Sequence, residues 1–294
     1  MAISGGPDSV ALAHAAKALP YPVILGHVDH QLRKSSAVDA RFVGRLALKW
    51  DLAFRIEKVN VPAQVRRENL GIEEAARNLR YKALVKMALR ERCHAILTAH
   101  TADDQAETVL FNFFRGAGAT GLAGIPPVRS AGDTRILRPL LQVTRREILQ
   151  YLNGHRLSYR EDPTNRLLRF SRNRIRHETL PYLSRIFPGL SGRLVQSAEI
   201  LREEEGFWRQ IVSEELSKTV RNNNKRITID LGHLLGYHKA LGRRILRHLL
   251  PGLSFQEIER VFSLAQSAQG IRRLQLSGGL LVARQADKLV ISAP

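Results

Sequence analysis

MAISGGPDSVAL, residues 1–12, decides how the rest of the chain is read. Apolar Ala2 and Ile3 lead into Ser4-Gly5-Gly6-Pro7-Asp8-Ser9, and a helical pattern follows. The two glycines let backbone N–H groups close around an anion, and the next helix adds the positive end of its dipole. Pro7 suits the first turn of that helix, where its missing N–H costs nothing. GxxxxGKS/T is absent, so this is not the loop of ATPases that cleave at the γ-phosphate. Only three residues precede the loop, while a typical strand has about 5–6. Either the true start lies upstream or this first strand is unusually short.

Working outward, PVILGHV (22–28) and HAILTA (94–99) are continuous apolar runs of strand length, as in a parallel sheet covered on both faces. Between them Phe42, Val43, Leu46, Ala47 and Trp50 share one helical face, and AFRIEKV (53–59) reads as another strand. A second long helix is expected over 71–92. This alternation predicts a doubly wound α/β domain with a parallel sheet. After Phe187-Pro188-Gly189 a helical pattern runs to about 220. RITIDL, helices near 237–250 and 255–265, and the strand-like runs RRLQLSG and GLLVARQADKLVIS then predict a second, smaller α+β domain. The expected division is 1–186 for the α/β domain, 187–220 for a linking helix and 221–294 for the small domain. Neither an internal repeat nor a low-complexity segment is visible.

The charge balance narrows the class of partner. Of 294 residues 46 are Lys or Arg and 27 are Asp or Glu, a net +19 that attracts a polyanion, usually nucleic acid. The segment 129–185 holds thirteen Arg, five acids and no Lys. Arg offers a planar fork for phosphate and a face that stacks on bases, so this segment is expected to face nucleic acid. Cys93, the sole cysteine, rules out an intramolecular disulfide, a thiolate zinc cluster and a CxxC redox pair. It reads as core packing. No apolar stretch approaches the ~18–20 residues that span a membrane, and no signal peptide precedes the first motif. A cytoplasmic protein without a membrane partner is expected.

Four further constellations carry chemistry. HVDHQLR (27–33) closes a strand at the edge of the sheet where ligands bind; His27 and His30 there are a weak metal pair. Arg77 and Arg80 in GIEEAARNLRYKAL (71–84) are neighbours on a helix face. In HTADDQAETVLFNFFRGAGATGLAGI (100–125), His100, Asp103, Asp104 and Glu107 are spaced i, i+3, i+4, i+7, which predicts one acidic helical face. Three crowded acids need a cation; magnesium and the ammonium of an amine substrate both suit. The glycine-rich loop from Arg115 can close over a substrate. Finally, EDPTNRLLRFSRNRIRHETLP (161–181) joins turn residues to Arg169, Arg172, Arg174 and Arg176.

SGGPDS after a strand resembles the pyrophosphate-binding loop of the N-type ATP pyrophosphatases. Together with HVDHQLR, EEAARNLRY, TAHTADDQAET, RGAGATGLAGI, RPLLQVTRREI and DPTN…RNRIR, it resembles the tRNA(Ile)-lysidine synthase family over residues 2–181. The later segment fits that family's smaller domain less specifically, and the further C-terminal domain of longer members is not seen. The resemblance implies ATP cleaved between its α- and β-phosphates, with AMP and pyrophosphate released. Free L-lysine would join C2 of the first anticodon cytidine of a CAU-anticodon tRNA(Ile) through an adenylated cytidine. It places ATP against Ser4, Gly5, Gly6, Pro7, Asp8, Ser9, His27, Val28 and Asp29, with Mg2+ on Asp8. Asp8, Arg80, His100, Asp104, Glu107 and Arg172 become the catalytic and lysine-handling set, and Arg115, Gly116, Arg138, Arg174 and Arg176 the tRNA contacts. A carboxylate or His100 would deprotonate lysine. The rivals are a tRNA thiolase, which needs more cysteine than Cys93; an amidating ligase, which needs no arginine-rich segment; and an inactive RNA-binding relative.

Overall fold

Short apolar strands with a helix after nearly every one produce the layered first half of the chain. The computed structural model describes residues 1–31, 36–161, 171–223, 226–267 and 273–292. These divide into two units, Met1–Arg202 and Glu203–Pro294. The first holds, in order, α1 (Pro7–Ala16), β1 (Ile24–Asp29), α2 (Ser36–Lys49), β2 (Ala53–Lys58), α3 (Val61–Glu68), α4 (Ile72–Arg90), β3 (Ala95–Leu97) and α5 (Ala102–Phe114). After it come α6 (Ala119–Leu122), β4 (Val128–Ala131), β5 (Thr134–Leu137), α7 (Arg145–Gly154), α8 (Ser171–Arg174), a π-helical turn (Ile175–Thr179) and α9 (Leu180–Ile186). The 30-residue α10 (Leu190–Thr219) carries the boundary between the units within it.

β1 pairs in parallel with β2, and β3 in parallel with β5, whose other edge takes β4 antiparallel. Residues 1–3 close the gap. Ala2 N–H donates to Leu97 O at 2.9 Å, Ile3 N–H to Gly26 O at 3.0 Å, and Gly26 N–H to Met1 O at 2.7 Å. The order is therefore β2–β1–(1–3)–β3–β5–β4, with the short first segment at the centre. Side chains alternate across it. Ile3 and Leu25 join Val10, Val43, Trp50, Ile148 and Leu152 on one face; Ala2 and Val28 join Tyr81, Leu84, Met87, Ile96 and Ile136 on the other.

The β4–β5 hairpin was not expected. It occupies the start of the arginine-rich segment, where Thr134 and Ile136 are buried while Arg135 between them is exposed. That period of two seats β5 in the sheet, with β4 at its edge.

The second unit continues with β6 (Val220–Asn223), β7 (Arg226–Asp230), α11 (Leu231–Gly236), α12 (Lys239–Leu249), α13 (Phe255–Gln266), β8 (Arg273–Gln275), β9 (Leu281–Gln285) and β10 (Lys288–Ser292). Its sheet runs β6–β7–β10–β9–β8, all antiparallel. Leu234, Ile245, Leu246 and Ile258 of the helices share one core with Ile229, Val282 and Leu289 of the sheet. GLLVARQADKLVIS, read as one run, folds into the β9–β10 hairpin. No helix among the described residues is long and apolar enough to cross a membrane.

One buried amide ties the glycine-rich loop to α5. Gln105 Oε1 accepts from Ile125 N at 2.6 Å, and a Cβ on Gly124, whose φ is +66°, would come within 2.6 Å of it. Gly124→Ala combines a left-handed backbone with a clash, so it should cost about 2–4 kcal/mol. Urea unfolding of the first unit checks this: the midpoint falls while the slope stays constant.

Candidate active site

Residues 1–3, β1, β3 and β5 all deliver their carboxyl ends to one edge of the sheet, where open α/β sheets bind ligands. The loop there is built from its own hydroxyls. Ser9 Oγ donates to Gly6 O at 2.9 Å and lies 3.2 Å from Ser4 Oγ, while Gly6 N–H donates to Ser4 Oγ at 3.3 Å. Gly5 takes φ +90°, and its O accepts from Arg160 N at 2.9 Å. Gly6 caps α1 and Pro7 occupies its first turn. The first-turn N–H groups of α1 have no acceptor within the helix and point into the loop. Asp8 stands among them; its Oδ2 lies 3.4 Å from Arg145 Nη1, and its buried Oδ1 has no partner. Burial lifts the Asp8 carboxyl to about 6, with Asp104 and Asp103 pushing the same way and Arg145 and Arg176 against.

The acidic face differs from its expected form. α5 begins only at Ala102, because Thr101 caps it in a reciprocal box with Asp104. His100 therefore precedes the helix, with Nδ1 3.1 Å from Thr98 Oγ1. Asp103 turns away to accept from Arg145 N at 2.7 Å, at the positive start of α7. Asp104 and Glu107 alone form the stripe, and their cation is the protein's own. Arg176 donates through Nη2 to Asp104 Oδ1 at 2.7 Å, and through Nε to Glu107 Oε1 at 2.5 Å. A third bond, from Nη2, reaches Glu107 Oε2 at 3.0 Å. Burial raises the Glu107 carboxyl to about 7 against the pull of Arg176, while the two carboxylates hold Arg176 protonated. Arg176 sits on the π-helical turn, a local rearrangement frequent at functional sites.

Facing these acids is a cationic cluster. The guanidinia of Arg77, Arg80 and Arg129 lie 5.4–5.5 Å from the centre of the Tyr81 ring. Arg138, expected to face tRNA, is 4% exposed; it donates to Pro126 O at 2.5 Å and to Tyr81 Oη at 3.5 Å. Burial holds His100 down at about 3; Asp104 opposes this, and the charges of Arg80, Arg138 and Arg77 add to it. His30 is likewise held at about 4, by burial and then Arg80, and its Nδ1 is buried without a partner.

The remaining expected residues scatter. His27 and Asp29 are buried at the end of β1; His27 Nδ1 lies 2.9 Å from Ile3 O, and Asp29 accepts from Gln31 N at 3.0 Å. Val28 packs its side chain into the α4 core. Arg172 and Arg115 both lie over Phe111, Arg174 is exposed beside Glu178, and Gly116 follows the end of α5. Leu32, Arg33, the DPTN turn and Arg169 lie outside the described residues. Arg145, Tyr81, Thr98 and Thr101 were missed. Only Thr101, in T-x-x-D before a helical run, carried a readable capping signal.

Among the described residues no three His, Cys, Asp or Glu groups converge as a ready-made metal site. Magnesium does not need one, because it is usually held by one or two carboxylates together with substrate phosphates. The unpartnered Asp8 Oδ1 beside the SGGPDS loop fits that requirement. In the free protein the raised Asp8 pKa means folding binds a proton, so stability is fully present below pH ~4 and is lost as pH rises through about 6. Asp8→Asn should remove that loss, raising stability at pH 8 by about 1–3 kcal/mol. Thermal unfolding between pH 4 and 8, without nucleotide, measures it.

The PP-loop domain family model matches residues 1–183. The tRNA(Ile)-lysidine synthase of Solibacter usitatus is 36% identical, with 99% of this chain and 66% of that protein covered. Those of Geobacter sulfurreducens and Bacillus subtilis are 34% and 35% identical, with 99% and 89% of this chain and 64% and 56% of those proteins covered. The chain thus spans 56–66% of the length of these relatives. In fold it is similar to the U34-tRNA thiolase NcsA from Methanococcus maripaludis, at a TM-score of 0.59 and 20% identity, covering 69% of this chain and 71% of that one. From the SGGPDS loop to the π-helical turn, the chain belongs to the PP-loop domain family, whose domains use ATP.

Proposed function

We propose that the chain is a tRNA(Ile)-lysidine synthase. It would join the ε-amine of free L-lysine to C2 of the first anticodon cytidine of CAU-anticodon tRNA(Ile), by way of an adenylated cytidine. The observation that carries this reading is the meeting, on one sheet edge, of a phosphate-binding loop and a two-carboxylate stripe already shaped around a guanidinium. A nucleotide anion would match the loop, and a substrate ammonium would share the carboxylates with Arg176. The names of the curated relatives support the same reading.

The loop N–H groups and the start of α1 would hold the triphosphate, with Ser4 and Ser9 fixing the loop's shape. Magnesium held by Asp8, when bound, supplies positive charge against the phosphate oxygens. Arg80 and Arg172 would balance the charge that develops as pyrophosphate leaves. His100, neutral at pH 7 and oriented by Thr98, offers its second ring nitrogen to the cytidine edge. Asp104 and Glu107 would receive the lysine ammonium beside Arg176. Of the groups considered for deprotonating it, Glu107 at about 7 is matched to neutral pH, whereas His100 at about 3 is a poor base. Arg115, Gly116 and Arg174 remain the tRNA-facing positions; Arg138 and Arg176 serve the interior of the site.

The test uses α-labelled ATP, labelled lysine and the CAU-anticodon tRNA under single-turnover conditions. AMP and pyrophosphate are the expected products, and ADP with phosphate would overturn the reading. Glu107→Gln should still adenylate the tRNA yet transfer lysine about 10²–10⁴ times more slowly. Lysine incorporation at the wild-type rate would remove Glu107 from the site.

A further inference from the structure

The stripe on α5 does not end with its carboxylates. Asp104, Glu107, Phe111 and Phe114 are spaced i, i+3, i+7, i+10, so they follow one another along a single helix face. α8 and the π-helical turn run beside it, with Arg176 against Asp104 and Glu107 and Arg172 against Phe111. The Arg172 and Arg115 guanidinia lie 5.8 and 5.3 Å from the Phe111 ring centre. One turn further on, Phe114 meets Phe113 edge to face, with centroids 6.1 Å apart and planes at 66°. Both rings are left to solvent, 58% and 63% exposed.

We infer that this end of α5 is a stacking platform for RNA, with Phe114 taking the base next to the nucleotide being modified. The inference rests on the function proposed above. Seven residues of helix place Phe114 about 10 Å from Glu107, within reach of an adjacent nucleotide. Unstacked loop bases are held on aromatic rings and guanidinium planes, and both kinds of surface are present here. Charge selects the same occupant. Residues 108–127, the end of α5 and the loop after it, contain no Asp or Glu, and Arg115 among them is exposed. The loop after Phe114 also leaves room for a backbone to approach closely, since a Cβ on Gly116 or Gly118 would meet nothing within 4 Å. Two exposed rings at a helix end, one turn beyond a ring stacked by two guanidinia and followed by an open glycine loop, suit a nucleic acid better than an apolar protein face.

The probe is a CAU-anticodon stem–loop RNA carrying 2-aminopurine at the adenine after the reacting cytidine. The full chain should quench its fluorescence on binding. Phe114→Ala should lose the quench and bind the RNA about tenfold more weakly. Phe114→Trp should restore both and Phe114→Leu neither, and unchanged unfolding midpoints would confirm that all three fold. Wild-type quench and affinity in Phe114→Ala, or rescue by Leu equal to that by Trp, would overturn the platform. So would loss of self-association in sedimentation with RNA affinity intact, which would assign the rings to a second copy of the chain. If the wild-type chain modifies the tRNA while Phe114→Ala is unaffected, only this inference falls. If the wild type neither binds nor modifies it, the proposed function falls first and the platform with it.

Discussion

Two carboxylates on successive turns of a helix repel each other, and burying them makes ionisation harder still. Arg176 resolves this by placing one guanidinium across Asp104 and Glu107, with three hydrogen bonds of 2.5–3.0 Å. The seating of the π-helical turn and α8 on α5 depends on that contact. It draws the π-helical turn onto α5 and brings Ile175 and Leu180 into one cluster with Ala106 and Leu110. It also sets Arg172 over the Phe111 ring. Removing one partner of such a pair leaves an uncompensated charge in the interior, a large penalty even where the intact pair adds little.

The same economy of charge explains where the other arginines lie. An arginine-rich segment in a protein of net +19 suggests one exposed basic surface. Instead its members divide. Arg138 is buried against a backbone carbonyl and a phenol, Arg145 approaches Asp8, Arg160 pairs with Asp39, and Arg176 clamps the acidic stripe. Arg135 and Arg174 stay on the surface, where a polyanion can reach them. Guanidinia serve both roles because each is permanently charged and offers several donors in one plane.

What could be read from sequence was local. SGGPDS declares a tight turn before a helix because its glycines and proline act within a few residues. The apolar runs at 22–28 and 94–99 read as buried strands because they have no polar face. The failures needed information from distant parts of the chain. His100 was assigned to the helix because spacing alone cannot say where a cap falls, although Thr101 and Asp104 contained that signal. The burial of Arg138 depends on Pro126 O and on Tyr81, 57 positions away. Arg176 answers to carboxylates 69 and 72 positions away. No periodicity reports such partners. The β4–β5 hairpin was hidden for another reason: its arginines drew attention to charge and away from the alternation of Thr134, Arg135 and Ile136.

If the clamp is the organising contact, Arg176 and Glu107 must be strongly coupled in the free protein. A double-mutant cycle on unfolding, with Arg176→Met, Glu107→Gln and the pair together, measures that coupling directly. The account predicts about 2–3 kcal/mol, with the double variant more stable than the two single losses imply. Losses that add to within about 0.5 kcal/mol would contradict it, because the two groups would then be independent.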